Sequence, residues 1–532
     1  MNKRKLELYE DLFKKMGPGI NKVTIEHIAS AFQCSNRHAR TLLKQMSDGG
    51  LLTWRPTRGR GHKGTLNCHI EPIQACYTLV GQAIEDEKYN LAHQLISFND
   101  RDIAIGLKQY LGRSANQNEN TVYARFHRKI EQLHPHYSMN RTERHLIHEV
   151  FQTLVSYDGS TLRGELAHYW ESNEQHTQWR FHLSSAAKFH DQSAVTSNDV
   201  VESLKALTRS KYWQNLYDHI TQIKAISLHC IVVILKDPDP NLPHLLSRAE
   251  TAILPSKNIY QPDTSYKPIG SGPFFVDIYS DRVLRLVRNH QYSGHNALIE
   301  KIEIWIHEEW APDKKCAENF FFIDDDEDTY QVSTADIGYF FILLNHKELQ
   351  IKSTKDSLLE LLQNDEPASF ELPFPISFSY ENNNDNFEFA SKLNGIHSTL
   401  ETNSIGRQVT YGEALPNQDL AIGGIRLEGG RATSLFAFFK LYPYWQHNLS
   451  WEQYDHLVDT LKSVRSCHSP IQQERLLDKL IEFLYENNVL VIFKSEDLTL
   501  TVPTRVKNVK INSIGWCNFA NIWVVPRTKD LS

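Results

Sequence analysis

Cysteine is sparse in this sequence, long apolar runs are missing, and no catalytic signature stands out. The seven cysteines (Cys34, Cys68, Cys76, Cys230, Cys316, Cys467 and Cys517) are scattered and never form a Cys-x-x-Cys pair. That excludes a disulfide framework or a zinc knuckle and fits reduced thiols. The longest apolar run, Tyr339 to Leu344, is far short of the roughly 20 residues that a membrane-spanning helix needs. The first twenty residues carry charge throughout and lack the apolar core of a secretory signal, so a cytoplasmic protein with no membrane partner is expected.

Chemistry is equally thin. There is no Gly-x-Ser-x-Gly elbow, phosphate-binding Gly-x-x-x-x-Gly-Lys loop or dinucleotide fingerprint, so neither an enzyme nor a cofactor is expected. The acidic run Asp324 to Asp328 lacks the sixth-position glycine and closing glutamate of a calcium loop and reads as solvated. His145, His148 and Glu149 do not follow the His-Glu-x-x-His order and have no evident third ligand, so no metal is expected.

What is present is asymmetric charge. Residues 1–65 hold thirteen Lys/Arg against five Asp/Glu, whereas the rest of the chain holds 44 against 59. A basic head on an acidic body suits a nucleic-acid-binding module joined to a part that does not bind nucleic acid. At 532 residues, with 41% hydrophobic and 23% charged side chains, the chain is long enough for several ordinary globular cores.

The head reads as an α+β winged helix-turn-helix over residues 1–70. Ile25, Ile28, Ala29 and Phe32 make one apolar face of a helix, and Gln33-Cys34 makes the turn. Ser35 is placed to cap a second helix that stops at Gly49-Gly50. On that helix Ala39, Leu42, Leu43 and Met46 fall together, with Arg37, Arg40, Thr41 and Lys44 nearly opposite. A recognition helix needs this division: one face on the core, the other offering donors to base edges and phosphates. A solvated basic face is the competing reading. The next segment decides between them, because LLTWRPTRGRGHKGTLNCHI reads as strand, Gly/Arg-rich tip and returning strand, which is a wing. Ser35, Asn36, Arg37, His38, Arg40, Thr41 and Lys44 on the helix, with Arg55, Arg58, Arg60 and Lys63 on the wing, are the candidate contacts to double-stranded DNA. Residues 71–115 read as a helical extension, with the polar stretch 112–120 as the linker candidate.

Residues 116–532 read as α/β. Trp179, Phe181 and Leu183 alternate as a strand, and Thr196 stands three residues before Asp199 in a helix-capping arrangement. Gly270-Ser-Gly-Pro273 precedes FFVDIYSDRVLRLVRN, read as two strands about a Ser-Asp turn, and KIEIWI over 301–306 is a further strand.

These passages resemble the signature segments of the family 5 extracytoplasmic solute-binding proteins that serve peptide and nickel importers. Phe189-His190-Asp191 with the capped helix, and PIGSGPFFVDIYSDRVLRLVRNHQYSG with KIEIWI, carry the likeness. Gln192, His290 and Ser293 stand where that family usually has Gly, Pro and Trp. The likeness covers about 140–310. Together with Cys34 to Leu43 and the wing residues Trp54, Gly59, Arg60 and Gly61, the whole chain resembles the SgrR-type regulators. The resemblance implies a two-lobed α/β periplasmic-binding-protein-like domain of class C, the oligopeptide-binding type, used as a sensor. It also implies a small-molecule effector such as a sugar phosphate, and control of a small regulatory RNA.

In peptide-binding relatives an aspartate after a strand of the DLAIGGIRLEGG type holds the ligand's amino group, and Glu428 sits near that place. Arg426 and Arg431 flank it and would suit an anion, against ordinary surface charge as the alternative. Tyr157, Trp445 and Trp516 are aromatic candidates for stacking on a ligand, against core packing. The rival functions are a solute-binding component of a peptide-type importer and an enzyme on such a fold. A homodimer on a near-palindromic operator would suit a winged-helix regulator, although no coiled coil is evident.

Overall fold

Leu6, Tyr9 and Leu12 recur every third residue and form the buried stripe of α1 (Lys3–Met16). Strand β1 (Gly19–Val23) follows, then α2 (Ile25–Ala31) and α3 (Asn36–Asp48). Thr24 and Ser35 cap the two helices by accepting from the backbone N–H of His27 and His38. Gln33, with φ 51°, makes the turn between them. Strands β2 (Leu52–Arg55) and β3 (Gly64–Cys68) form the hairpin, and β1 pairs on the other edge of β3. Buried Tyr9 joins both ends of that hairpin to α1, its hydroxyl donating to the carbonyls of Leu51 at 3.0 Å and Ile70 at 2.6 Å.

Three helices complete this part: α4 (Pro72–Glu85), α5 (Tyr89–Ile96) and α6 (Ile103–Gln117). The polar stretch read as a linker is helical through Gln117. Leu107, Leu111 and Ala115, spaced by four, are buried along it, so burial of that stripe outweighs the poor helix propensity of Gly112, Ser114 and Asn116.

The chain folds as two units, residues 1–118 with 322–326 and residues 119–321 with 327–532, so the helical extension belongs with the winged helix. The computed structural model describes residues 3–57, 62–98, 102–117, 120–260, 267–310, 321–323, 327–334, 338–344, 378–381, 406–409, 420–425, 427–442, 444–494, 498–512 and 515–525.

The second unit has two lobes. The first holds an antiparallel sheet ordered Ala167–Ser172, Gln178–Leu183, Cys230–Leu235, Ile220–Ser227. Its other four-stranded sheet runs Phe274–Tyr279, Val283–Arg288, Lys301–Ile306, Thr121–Phe126, the last pair parallel. The two motif passages meet here, since His190 N donates to the Gly270 carbonyl at 2.8 Å. Gly270 and Gly272 are required by close approach: a Cβ on either would fall 2.0 or 2.6 Å from backbone atoms of Val150. Gln192 takes φ 74°, a conformation that favours the glycine it replaces. The Thr196–Asp199 capping box forms as read.

The second lobe is a five-stranded mixed sheet ordered Gly406–Val409, Phe378–Glu381, Leu420–Ile425, Tyr339–Leu344, Leu490–Lys494. Helices Arg431–Leu441, Trp451–Ser466 and Pro470–Glu486 pack on it, burying Leu435, Leu457, Leu461, Leu477, Leu480 and Leu484. The chain enters this lobe through Thr329–Thr334 and leaves through Leu498–Pro503, and these two strands pair antiparallel. The lobes are in contact with each other. Buried side chains of both form one continuous apolar cluster, and Asp218 of the first pairs with Arg465 at 2.9 Å and Lys440 at 3.1 Å of the second. Among the described residues no helix is long and apolar enough to cross a membrane.

Candidate nucleic-acid interface and interlobe site

Helix α3 divides into the two faces that its spacing predicts. Ala39, Leu42, Leu43 and Met46 are buried, whereas Asn36, Arg37, His38, Arg40, Thr41 and Lys44 lie on the open side, with Ser35 at its cap. The wing supplies a second basic surface: Arg55 ends β2 and Lys63 precedes β3, both exposed. Thr57 closes the base of the tip by donating to the Lys63 carbonyl at 2.9 Å. Gly64 is required there, because a Cβ would come within 2.4 Å of the Trp54 ring that lies over it. Arg58 and Arg60, together with Gly59 and Gly61, lie outside the described residues.

Among the described residues none of Arg37, Arg40, Lys44, Arg55 and Lys63 forms an ion pair with a carboxylate. Cations left unpaired on one helix face and the adjoining hairpin are free to meet an external polyanion.

The body's site centres on helix Arg141–Val150, in which Glu143, Arg144, His145 and Glu149 are all buried. Glu143 is held by a two-pronged contact from Arg128 at 2.7 and 2.9 Å. Arg144 Nε donates to Glu428 Oε2 at 2.6 Å, and its Nη2 also pairs with Glu250. Glu250 accepts from Arg248 Nε at 2.7 Å and the Tyr217 hydroxyl at 3.0 Å. Glu428 Oε1 takes the Ala249 N–H at 2.8 Å and lies 3.2 Å from His148 Nε2, while the Glu428 carbonyl accepts from Arg248 at 3.1 Å. Burial by itself would push the Glu428 carboxyl up. The Arg144 charge, the His148 contact and Arg248 outweigh it and hold Glu428 well below the usual carboxylate range. Glu250 is likewise lowered, against its burial, by Arg248 and Arg144. Both carboxylates are therefore charged: Glu250 pairs with the two guanidiniums within the first lobe, and Glu428 reaches Arg144 across the lobe boundary.

The other residues singled out in the sequence are placed as follows. Tyr157 lies against Gly430, 3.2 Å from where a Cβ would stand, and edge-on to His244. Arg431 is engaged within its own lobe, with Nε donating to the Tyr339 hydroxyl and Nη2 to Asp478, both at 2.6 Å. Trp445 is fully buried among Phe438, Phe439 and Tyr444 in the second lobe. Trp516 stacks on His145 at 5.1 Å and touches Phe126 and Phe519, also buried. Arg426 lies outside the described residues, as do Asp324 to Asp326; Glu327 pairs with Arg505 at 2.6 Å. Tyr157 and Glu428 thus share the lobe boundary, Arg431 is held within the second lobe, and the two tryptophans are packed among other rings. Arg144, Arg248, Glu250 and Tyr217 escaped sequence reasoning, and His148 was weighed there only as a metal ligand. The one local signal was a helix whose charged residues leave no polar face for solvent.

Two family models match the chain. "Sugar transport-related sRNA regulator N-term" covers residues 4–118, and "Bacterial extracellular solute-binding proteins, family 5 Middle" covers 161–318. A curated relative, the HTH-type transcriptional regulator SgrR of Yersinia enterocolitica, is 28% identical over 328 residues, 61% of this chain and 58% of its own length. The uncharacterized protein YbaE of Escherichia coli K12 is 27% identical over 57% of this chain and 52% of its own. The matched region therefore spans little more than half of these relatives. Among solved structures, a dipeptide-binding protein from Pseudoalteromonas in complex with Met-Leu superposes with TM-score 0.61 at 13% identity, over 76% of this chain and all of its own. The Escherichia coli murein tripeptide binding protein gives 0.59 at 14%, over 77% and 99%. The body thus has the two-lobed α/β fold of family 5 binding proteins, and the chain carries the domain pair of the SgrR-type regulators.

Proposed function

We propose that this domain pair makes the chain a cytoplasmic, DNA-binding transcriptional regulator whose solute-binding-like body senses a small metabolite. The observation that carries the reading is the unpaired basic face of α3 beside the wing, on a head matched by a regulator family model. In this reading Arg37, Arg40, Thr41 and Lys44 meet base edges and phosphates of an operator, and Arg55, Arg58, Arg60 and Lys63 meet the adjacent backbone. Binding, not catalysis, is the activity. A sugar phosphate is the effector class most in keeping with the family description of the head, and the regulated genes would belong to sugar-phosphate stress and transport. A homodimer on a two-fold operator would follow the usual geometry of winged-helix regulators.

The test is a salt-titrated binding assay on the DNA upstream of the protein's own gene, with and without glucose 6-phosphate. Specific binding that shifts with the sugar phosphate supports regulator and effector class together. Specific binding without a shift keeps the regulator and removes that effector. Binding that is equal on random DNA at every salt concentration removes the regulator reading and returns the body to a transport role.

A further inference from the structure

Glu428 belongs to the second lobe, at the end of the strand Leu420–Ile425 and just before the helix Arg431–Leu441. Three donors from the first lobe meet its carboxylate: Arg144, His148 and the Ala249 N–H. A guanidinium, an imidazole and a backbone N–H, with the second guanidinium of Arg248 beside them on the Glu428 carbonyl and on Glu250, are what a protein assembles to hold a carboxylate or phosphoryl ligand. Here it is filled from within. One donor is left over: Arg144 Nη1 is buried and has no hydrogen-bond acceptor among the described residues, its guanidinium lying over the Trp213 ring. A carboxylate offers two oxygens to this cradle, whereas a tetrahedral oxyanion offers more.

We propose that Arg144, Arg248, His148 and the Ala249 N–H form a binding site for a small oxyanion, and that Glu428 is a built-in competitor that ties the second lobe to this site. The cluster is balanced at two guanidiniums, Arg144 and Arg248, against two carboxylates, Glu250 and Glu428. A third carboxylate or phosphoryl group cannot enter this buried site while Glu428 occupies it, since like charges at contact distance in a low-dielectric interior repel strongly. Entry therefore requires Glu428 to withdraw. Because Glu428 is attached to the second lobe, its withdrawal strains the other contacts across the boundary, Asp218 with Arg465 and Lys440 and Asn241 with the Cys467 carbonyl. Ligand binding thus loosens the contacts between the lobes. Only a ligand that binds the loosened form better can move that equilibrium. This deepens, and rests on, the sensor reading of the body.

The experiment is amide hydrogen exchange on the full-length chain and on Glu428→Gln, in chloride, acetate or inorganic phosphate at matched ionic strength. In chloride, Glu428→Gln should exchange at least about tenfold faster than wild type over residues 141–150 and 242–251, because the amide holds the guanidiniums more weakly and leaves a buried positive charge uncompensated. Acetate or phosphate should restore protection there in a saturable way. A stronger response to phosphate identifies a phosphoryl ligand, and an equal response to acetate identifies a carboxylate. Glu428→Asp, which keeps the charge but shortens the reach, should behave in between and stands in if the Gln variant does not fold. Exchange over these segments that is the same as wild type in every salt overturns the proposal, as does faster exchange that neither oxyanion reverses. Operator affinity measured in parallel separates the two readings. Oxyanion protection with unchanged operator affinity keeps the cradle and removes the sensor role, whereas the absence of oxyanion protection removes the cradle alone.

Discussion

Replacing Glu149 by Gln tests the electrostatics of the buried helix Arg141–Val150. The carboxyl is pushed up to about 8 by burial, against the N–H groups of Phe519 and Ala520, which favour its charged form. An unfolded glutamate titrates near the ordinary value of 4.5. The folded pKa is raised, so the stability this group contributes is full below about 4.5 and is lost as pH rises from there through 8. Each pH unit in that window costs about 1.4 kcal/mol, so the loss reaches on the order of 4 kcal/mol by pH 8, and about 2–4 once relaxation of the site is allowed. The amide introduced by Glu149→Gln cannot ionise, and its oxygen can still accept from Phe519 N, which bonds Glu149 Oε1 at 2.8 Å. Glu149 Oε2 has no partner among the described residues, so a protonated carboxyl and an amide are equally placed there.

The assay is urea unfolding of wild type and Glu149→Gln at pH 5, 6, 7 and 8, followed by the fluorescence of the buried tryptophans. Trp516 is a local reporter because it stacks on His145, one helical turn from Glu149. Near pH 5 the two proteins should be about equal, and by pH 8 the variant should be the more stable by about 2–4 kcal/mol. Buried His145 has the opposite slope. Its burial and the His148 charge lower it to about 3, so its contribution is full above about 6.5 and falls as pH drops. That contribution is shared and cancels in the difference. A difference that stays constant from pH 5 to 8, or a variant that loses ground as pH rises, would refute the assignment of a neutral carboxyl to Glu149.

Two further outcomes are expected. Tyr9→Phe removes the hydroxyl shared by the Leu51 and Ile70 carbonyls and should lower the stability of the head by about 1–2 kcal/mol in thermal unfolding, with an unchanged midpoint contradicting its role as a tie. Arg40→Ala should reduce discrimination between operator and random DNA by about 1–3 kcal/mol, while Arg60→Ala should weaken both together; equal losses for Arg40→Ala would take it out of base readout.

Much of the head was legible because its information is local. Ser35, the period of Ala39, Leu42, Leu43 and Met46, and the wing's two strands lie close together in the chain, and each obeys a short-range rule of capping, periodicity or turn chemistry. The linker reading at 112–120 went the other way for a long-range reason. Polar composition suggested a break, but Leu107, Leu111 and Ala115 find a surface to bury against, and that contact carries the helix to Gln117. In the body, the Gly270-Ser-Gly and Phe189-His190-Asp191 passages were recognisable as motifs. Why they are spelled that way emerged only when His190 was seen to bond the Gly270 backbone and Val150 to press on both glycines.

Sequence by itself determined the asymmetric charge, the winged head, the α/β class of the body and the aromatic and charged candidates. Tertiary structure decided what those candidates do. Trp445 and Trp516 became packing residues because the fold surrounds them with aromatic neighbours, for Trp516 from distant segments. Glu428, picked out for its place after a strand, meets Arg144, 284 residues away along the chain. No window of sequence contains both partners of such a pair, and a buried charge takes its meaning from whichever opposite charge the fold brings to it.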